Sequence, residues 1–429
     1  MSSPASTSLL FLALAMGPVP AVAQPLAQYL DSADRQNVDA RLEQVSAEQA
    51  DAEAGQAWGA LLPALTANGG WTHNQYPAEL DLPTGPTTTQ RIVIVPRDQL
   101  DATFKVEVPL IDATKWFRAA AAAANTEARA ERRQRTRDQI RRQVVAAFYL
   151  LAGSHSVLES ARASAGVAEA QLEQQTAKRA AGAATELEVV RAKAELERAK
   201  QVVADAEAQE ANAHRSLHTL SGLEPKSPPA LGDDDLRPEA PLAELESRLE
   251  LLPAVKAAEA EVSVAARNRA AAAAAIAPSV NAQFTERLTN ATGFQNQPSL
   301  WNGGVTFNWR FDVSGVQGFR VAGAQAQSAV LNAEKARQQA RDQIHSDWQR
   351  VRAAITKVSA AKSQAEAARR AAALARERNA AGVATQLDVI QSDRDVFAAE
   401  VNDIQARFDL ASARASLHVS AGLTPQEAK

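Results

Sequence analysis

The chain has 429 residues, with 46 Lys and Arg against 50 Asp and Glu and a formal net charge of −4, so it carries no basic field for nucleic acid. Cysteine is absent, which excludes disulfides, thiolate metal sites and acylation of an N-terminal cysteine. Length alone allows about three domains, but an internal duplication reduces this to one architecture made of two halves.

Residues 1–23 read as a signal peptide, with an apolar run from Leu9 to Met16 and the small residues Ala21-Val22-Ala23 before Gln24. The absence of Lys and Arg from residues 1–8 departs from the usual pattern. The apolar run is too short to span a bilayer, and no later stretch approaches the length of a membrane helix, so a membrane crossing has to be made by strands. The first repeat is assigned to 24–225, a Pro- and Asp-containing linker to 226–239, and the second repeat to 240–429.

Helical patterns cover about 27–58, 113–181, 186–221, 240–276, 316–381 and 386–421. The two longest would reach roughly 100 Å at 1.5 Å per residue. Each pair of shorter tracts laid end to end matches one long one, as two halves of an even rod would require. Alanine dominates the packed positions and lets helices approach closely. Gly153, Ser154 and His155 mark the one place in the first long tract where a bend is expected.

Between the helices lie four short alternating segments. Leu65, Ala67, Gly69 and Trp71 interleave with polar residues, as do Phe104, Val106, Val108 and Leu110; in the second half Val280, Ala282 and Phe284 do so, then Val305, Phe307, Trp309 and Phe311. Each is about the length of a tilted membrane strand with one apolar face. Trp71, Trp116, Trp301 and Trp309 fall in or beside them, like an interfacial aromatic girdle. Polar loops over about 74–101 and 289–302 join the strands, and the apolar residues 92–96 read as a strand extension above the membrane.

The duplication is explicit at Ala180 to Val189 and Ala380 to Val389, which carry nearly the same decapeptide 200 residues apart. In each, a helix runs into Gly182 or Gly382, where glycine can take the left-handed conformation that ends it. Thr185 with Glu188 then starts the next helix with a capping box, and Thr385 with Asp388 with a shortened version of one. Each half therefore holds a tight helical tip. Four strands cannot close a barrel, so the chain has to oligomerise. Three copies give twelve strands, whereas two give eight and a filled interior.

With these tip motifs, with Pro63 and Pro278 preceding the strands, and with Val108-Pro109-Leu110-Ile111-Asp112 leading into the long helix, the chain resembles the TolC family of bacterial outer-membrane efflux proteins. The resemblance implies a mainly α fold with a small β part: long coiled-coil helices in a trimeric α-barrel across the periplasm, and four strands per chain in a 12-stranded transmembrane β-barrel. It also implies a homotrimer in outer-membrane lipid that works with a periplasmic adaptor and an inner-membrane transporter. The adaptor would meet the tips at Gly182, Ala183, Thr185, Gly382, Val383 and Thr385. The gate would lie at Leu387, Asp388, Gln391 and Asp395. The family's second tip reads as a Leu-Asp-Val-Leu-Asp-Ala-like string, whereas this chain has Gln391 and Ser392 in the last two places. Asp388 would form one acidic ring, with Asp393 or Asp395 offering another, and capping of Thr385 is an equally good role for Asp388.

No catalytic, cofactor or metal residues are assigned. His214 and His218 stand at i, i+4, but Arg414 answers His214 in the repeat, so the pair reads as surface chance; His218 and His418 read as residues that orient a helix end. The basic run Arg129 to Arg142 reads as a solvated or interprotomer face balanced by Glu127, Glu131 and Asp138. The competing function is a periplasmic adaptor or structural coiled-coil protein. Two hairpins, two strand pairs and no anchor favour a duct over an adaptor, which would set one hairpin into a split β-domain.

Overall fold

The computed structural model describes residues 24–85, 87–227 and 236–423. The signal-peptide segment and most of the 226–239 linker lie outside them. In chain order the elements are α1 (Leu26–Gln36), α2 (Val38–Gly59), β1 (Ala64–His73), β2 (Ala78–Pro83), β3 (Thr89–Val95), β4 (Asp98–Ile111), α3 (Ala113–Ala180) and α4 (Glu186–Ser221). The second half follows with α5 (Leu242–Glu246), α6 (Pro253–Ala274), β5 (Ser279–Thr289), β6 (Ser299–Asn308), α7 (Val313–Ala380) and α8 (Gln386–Ser420).

The repeat is preserved in the helices that flank the strands. α3 and α7 both have 68 residues, and each is capped by an aspartate at its start: Asp112 accepts from the Lys115 amide at 3.1 Å and Asp312 from the Gly315 amide at 2.7 Å. α2 and α6 both have 22 residues.

Two expected helices are interrupted. The tract over 27–58 breaks at Asn37, whose side chain accepts from the Asp39 amide at 2.9 Å and donates to the Leu220 carbonyl at 2.9 Å. This sets the start of α2 on the end of α4. The tract over 240–276 divides into α5, a 3-10 turn at Leu249–Leu251 and α6, which opens on Pro253; proline lacks the amide that would continue a helix and suits its first position. Here too the junction meets the end of the neighbouring helix, because a Cβ on Gly422 would lie 3.2 Å from Leu252. Each half thus pairs one long helix with two shorter ones set end to end.

The core gathers at these junctions. Tyr29, Leu30, Val144, Phe148, Leu151 and Leu217 form one buried cluster; Leu245, Leu252, Ile344, Val351, Val358 and Leu417 form its counterpart in the second half. Burying each such side chain contributes roughly 1.5–3 kcal/mol, so α1 and α5 serve as clamps across the middle of the rod. The first cluster also corrects an expectation. One 18-residue window within α3 is apolar enough to cross a membrane by composition, but 56% of it is buried inside the chain. Gly153 does not interrupt α3; its missing side chain admits Phe408 of α8, which a Cβ would meet at 3.4 Å.

The basic run on α3 is not simply solvated. Arg137 and Arg141 bond Asp34 of α1, Arg129 donates to Ser46 of α2 at 3.2 Å, and Arg132 pairs with Glu261 of α6. Arginine serves here to tie the long helix to three others within the chain.

The strands form one antiparallel sheet in the order β1-β4-β5-β6, and β2 and β3 form a separate hairpin. Residues 92–96 are therefore not an extension of the main sheet. They lie in or beside β3, which pairs with β2 through Leu80↔Ile92 and Asp81↔Arg91. β6 ends at Asn308, so Trp309 and Phe311 of the expected alternation lie beyond it. Pro109, which cannot donate to a ladder, sits at a register shift between β4 and β5.

Candidate functional surfaces: the helical tips and the open sheet

At the first tip the Gly182 amide bonds the Arg179 carbonyl at 2.9 Å and the Ala183 amide bonds the Lys178 carbonyl at 2.7 Å. At the second, Gly382 and Val383 repeat the pattern on Asn379 and Arg378 at 3.0 and 2.9 Å. This is the double bond of a Schellman end, and it requires the positive φ of +76° at Gly182 and +77° at Gly382. The next helices start at once. The Glu188 carboxylate accepts from the Thr185 amide at 2.7 Å and its hydroxyl at 2.9 Å; Asp388 accepts from Thr385 at 2.7 and 2.8 Å. The shorter aspartate completes the second box as fully as glutamate does the first. The Thr385 amide, then its hydroxyl, hold the Asp388 carboxyl below its ordinary range, and Thr185 does the same to Glu188.

Leu387, Asp388, Gln391 and Asp395 all fall on the exposed face of α8, with Gln391 donating to Asp395 at 3.0 Å. Asp393 turns elsewhere. It pairs with Arg376 of α7 at 2.5 Å and accepts from Gln171 of α3. The two hairpins, α3/α4 and α7/α8, are joined along α3 and α8 by a set of polar links absent from the sequence reading. Gln175 donates to Gln386 at 2.9 Å, Ser160 donates to Glu400 at 2.9 Å, and Arg394 of α8 bonds Glu195 of α4. Each is polar and unremarkable in the linear sequence; only the packing of α8 against α3 and α4 brings them together.

Three of the histidines lie towards helix C-termini. His218 faces Glu224 at 3.1 Å, His214 faces the Pro225 carbonyl at 3.0 Å, and His418 faces Glu239 at 3.3 Å.

At the other end of the rod, the sheet registers put Leu65, Val106 and Phe284 on one face, with Trp71 beside Leu100 and Trp301 beside Glu286. Leu65, Trp71, Phe284, Trp301, Val305 and Phe307 on this face are exposed. The opposite face is polar, with Lys105 paired to Glu107 at 2.8 Å and Arg287 to Asp101 at 2.6 Å. Trp71 and Trp301 lie near the loop end, and Trp309 and Trp116 near the helix end. Both outer strands, β1 and β6, leave a ladder edge open among the described residues.

A helical rod of two capped hairpins, carrying an open sheet with an apolar outer and a polar inner face, is the protomer of a helix-stemmed channel. The chain belongs to the outer membrane efflux protein family, whose model matches residues 30–223 and 245–423. This family is one of channels. No curated protein matches the chain by sequence. Among solved structures, a membrane protein from Pseudomonas aeruginosa superimposes with a TM-score of 0.79 at 21% identity, over 92% of this chain and 93% of that one. The CmeC outer membrane channel of Campylobacter jejuni gives 0.79 at 15%, over 98% and 93%. The MtrE outer membrane channel of Neisseria gonorrhoeae, solved in its open state, gives 0.75 at 20%, over 93% and 89%. At these identities the likeness is one of fold.

Proposed function

We propose that the protein is the exit duct of a tripartite efflux or type I secretion system, a passive homotrimeric conduit in the outer membrane with a helical extension through the periplasm. The observation that carries this reading is the four-stranded sheet. Its outer face is apolar, its inner face is charged, and both edges are unpaired among the described residues, an arrangement that lipid tolerates only when further copies close the ring. Three copies give twelve strands and a lumen; two give eight, which side chains fill. Tryptophans near both ends of the strands suit the two interfaces of a hydrocarbon layer.

The tips are the receiving end. Gly182, Ala183 and Thr185, with Gly382, Val383 and Thr385, offer a periplasmic adaptor two equivalent small-residue turns per chain, and an inner-membrane transporter supplies the energy. Leu387, Asp388, Gln391 and Asp395 line one face of α8 and form the gate; adaptor binding biases it outward.

The test is single-channel recording of the detergent-extracted protein in a planar bilayer, wild type against Asp388→Ala. Small cation-selective steps whose selectivity falls in the variant are the expected result. Extraction into buffer without detergent, with no conductance, would replace the duct by a periplasmic structural protein.

A further inference from the structure

α8 exposes one narrow line of side chains. Beyond Leu387, its exposed residues are Asp388, Gln391, Asp395, Ala398, Asn402, Gln405 and Asp409, at alternating steps of three and four. Such steps average 3.5 residues and stay on one side of a helix wound into a coiled coil, so the face that carries Asp388 and Asp395 continues unbroken to Asp409. At 1.5 Å per residue, Asp409 stands about 20 Å along the rod from Asp395. The line holds three aspartates and no Lys or Arg.

It ends on a groove. α4 and α8 both pack on α3 but scarcely on each other, and between them lies a recess of about 470 Å³, floored by Leu150, Gly153 and Val157 of α3 and walled by Gln209 and Asn212 of α4 and by Phe408 and Asp409 of α8. Gly153, where the sequence suggests a bend, shapes this floor instead. The Phe408 side chain lies against its bare Cα, with Cβ and Cγ 3.4 and 3.5 Å from where a Cβ would stand, so any larger residue would push the ring out into the recess. Leu150 is 45% exposed and offers the recess an apolar surface.

The charge in the groove has one sign. Asp409 is the one charged residue that lines it, and it has no ion pair or hydrogen bond among the described residues. The nearby carboxylates of α4 are taken: Glu207 pairs with Arg162 at 2.8 Å and Glu210 with His155 at 2.6 Å. The repeat sharpens the contrast, because α7 has Arg350, Ala353 and Lys357 where α3 has Leu150, Gly153 and Val157. The apolar floor therefore belongs to the first long helix alone, and its counterpart is cationic.

We propose that this groove binds small amphipathic organic cations, with the apolar body on Leu150, Val157 and Phe408 and the ammonium at Asp409. Its volume is that of sites for drug-sized molecules, which combine an apolar lining with a few polar groups. The unpaired carboxylate selects the cation over an anion of the same shape, since the anion would meet a like charge and gain no partner. That the line of α8 faces a passage rests on the duct reading; the groove and its charge do not. In that reading a cation that has passed Asp388 and Asp395 meets Asp409 as the next carboxylate on the same face, beside an apolar floor.

The probe is benzyltriethylammonium, with benzylsulfonate as an anion of similar body, each titrated into the detergent-solubilised full chain and into detergent alone and followed by saturation-transfer NMR. Saturable binding of the cation, several-fold weaker in Asp409→Asn and lost in Leu150→Arg, is the expected result, with no binding of the sulfonate. Leu150→Arg copies the second half of the chain at an exposed position, and Asp409→Asn removes the charge at constant shape. Equal binding of both probes would overturn the site and leave an apolar groove fit for a partner's helix. Unchanged affinity in Asp409→Asn, or no binding of the cation, would overturn it outright. Block of the single-channel current by the same cation, relieved in Asp409→Asn, would support its place in the passage. Binding that depends on Asp409 while the current is unaffected would put the groove outside the passage. The same binding by a protein that conducts nothing would keep the site and remove the duct.

Discussion

Gln175 donates from Nε2 to Oε1 of Gln386 at 2.9 Å, and both side chains are buried where α3 passes the first turn of α8. A buried amide pair is worth about 1 kcal/mol made, but leaving one partner unpaired costs about 1–3 kcal/mol. Gln175→Leu should therefore loosen the second tip, and Gln175→Leu with Gln386→Leu should recover much of the loss by removing both polar groups. Because the effect is local, hydrogen exchange of residues 386–395 is the measurement. Equal protection in wild type and single variant would mean the pair carries no load.

The clamp at the middle of the rod has a charge at its centre. Asp34 accepts from Arg137 Nε at 2.8 Å and Arg141 Nη2 at 2.9 Å, with a side chain only 9% exposed. Burial pushes its carboxyl up, but the hydrogen bonds from Arg137 and Arg141, with their charges, outweigh this and hold it below the usual range. A depressed carboxyl contributes stability that is complete above its unfolded value, about 4, and is lost as pH falls through the lower folded value. Asp34→Asn should cost about 2 kcal/mol at neutral pH and flatten the acid side of the stability curve. Melting of the solubilised protein between neutral pH and acid checks both; an unchanged acid limb in the variant would assign the acid sensitivity elsewhere.

Asp388 caps and carries charge with the same oxygens. Thr385 holds its carboxyl below the ordinary range, while the like charges of the proposed gate ring oppose that shift, so the ring should stay ionised down to about the ordinary aspartate value, near pH 4. Cation selectivity recorded in bilayers should thus persist down to that pH, and disappear in Asp388→Ala at every pH. Selectivity that titrates above pH 5 would point to Asp395 or another carboxylate as the ring.

What could be read from the sequence is what short-range physics sets. Gly182 and Gly382 with their Thr caps and the alternation in β1, β4 and β5 all depend on residues close along the chain, and the structure places each of them as expected. The breaks at Asn37 and Leu252 carry local signals, the capping side chain of Asn37 and Pro253 after Leu252, but these do not say how the chain packs around them. That packing buries Tyr29 and Leu30 against Val144 and Phe148, and Leu245 against α7. The tip links were invisible for a related reason: Gln175 and Gln386 are 211 residues apart and meet only once α8 lies beside α3. Likewise, nothing in the run Arg129 to Arg142 says that Arg137 turns to α1; that requires α1 to be folded back as a separate clamp.

The β2–β3 hairpin is the main asymmetry between the halves, and it should be dispensable for the duct. β1 and β4 are joined by residues 74–97, β5 and β6 by residues 290–298, and the shorter connection supports a hairpin of the same kind. The base of the longer loop is closed locally: the Asn74 amide bonds the Arg97 carbonyl at 2.7 Å and its side chain donates to the Pro96 carbonyl at 3.1 Å. The top of β4 is held independently by Asn290, which accepts from the Leu100 amide at 2.7 Å and donates to the Asp98 carbonyl at 2.8 Å. Replacing residues 74–97 by a copy of residues 290–298 should therefore preserve the β1–β4 register, detergent-dependent extraction and the conductance, because loop length adds only slowly to closure entropy. The replaced protein would differ only at its outer face. Loss of conductance in that variant would instead make the hairpin, whose β3 packs beside the Gly293–Gln295 turn, a brace for the sheet.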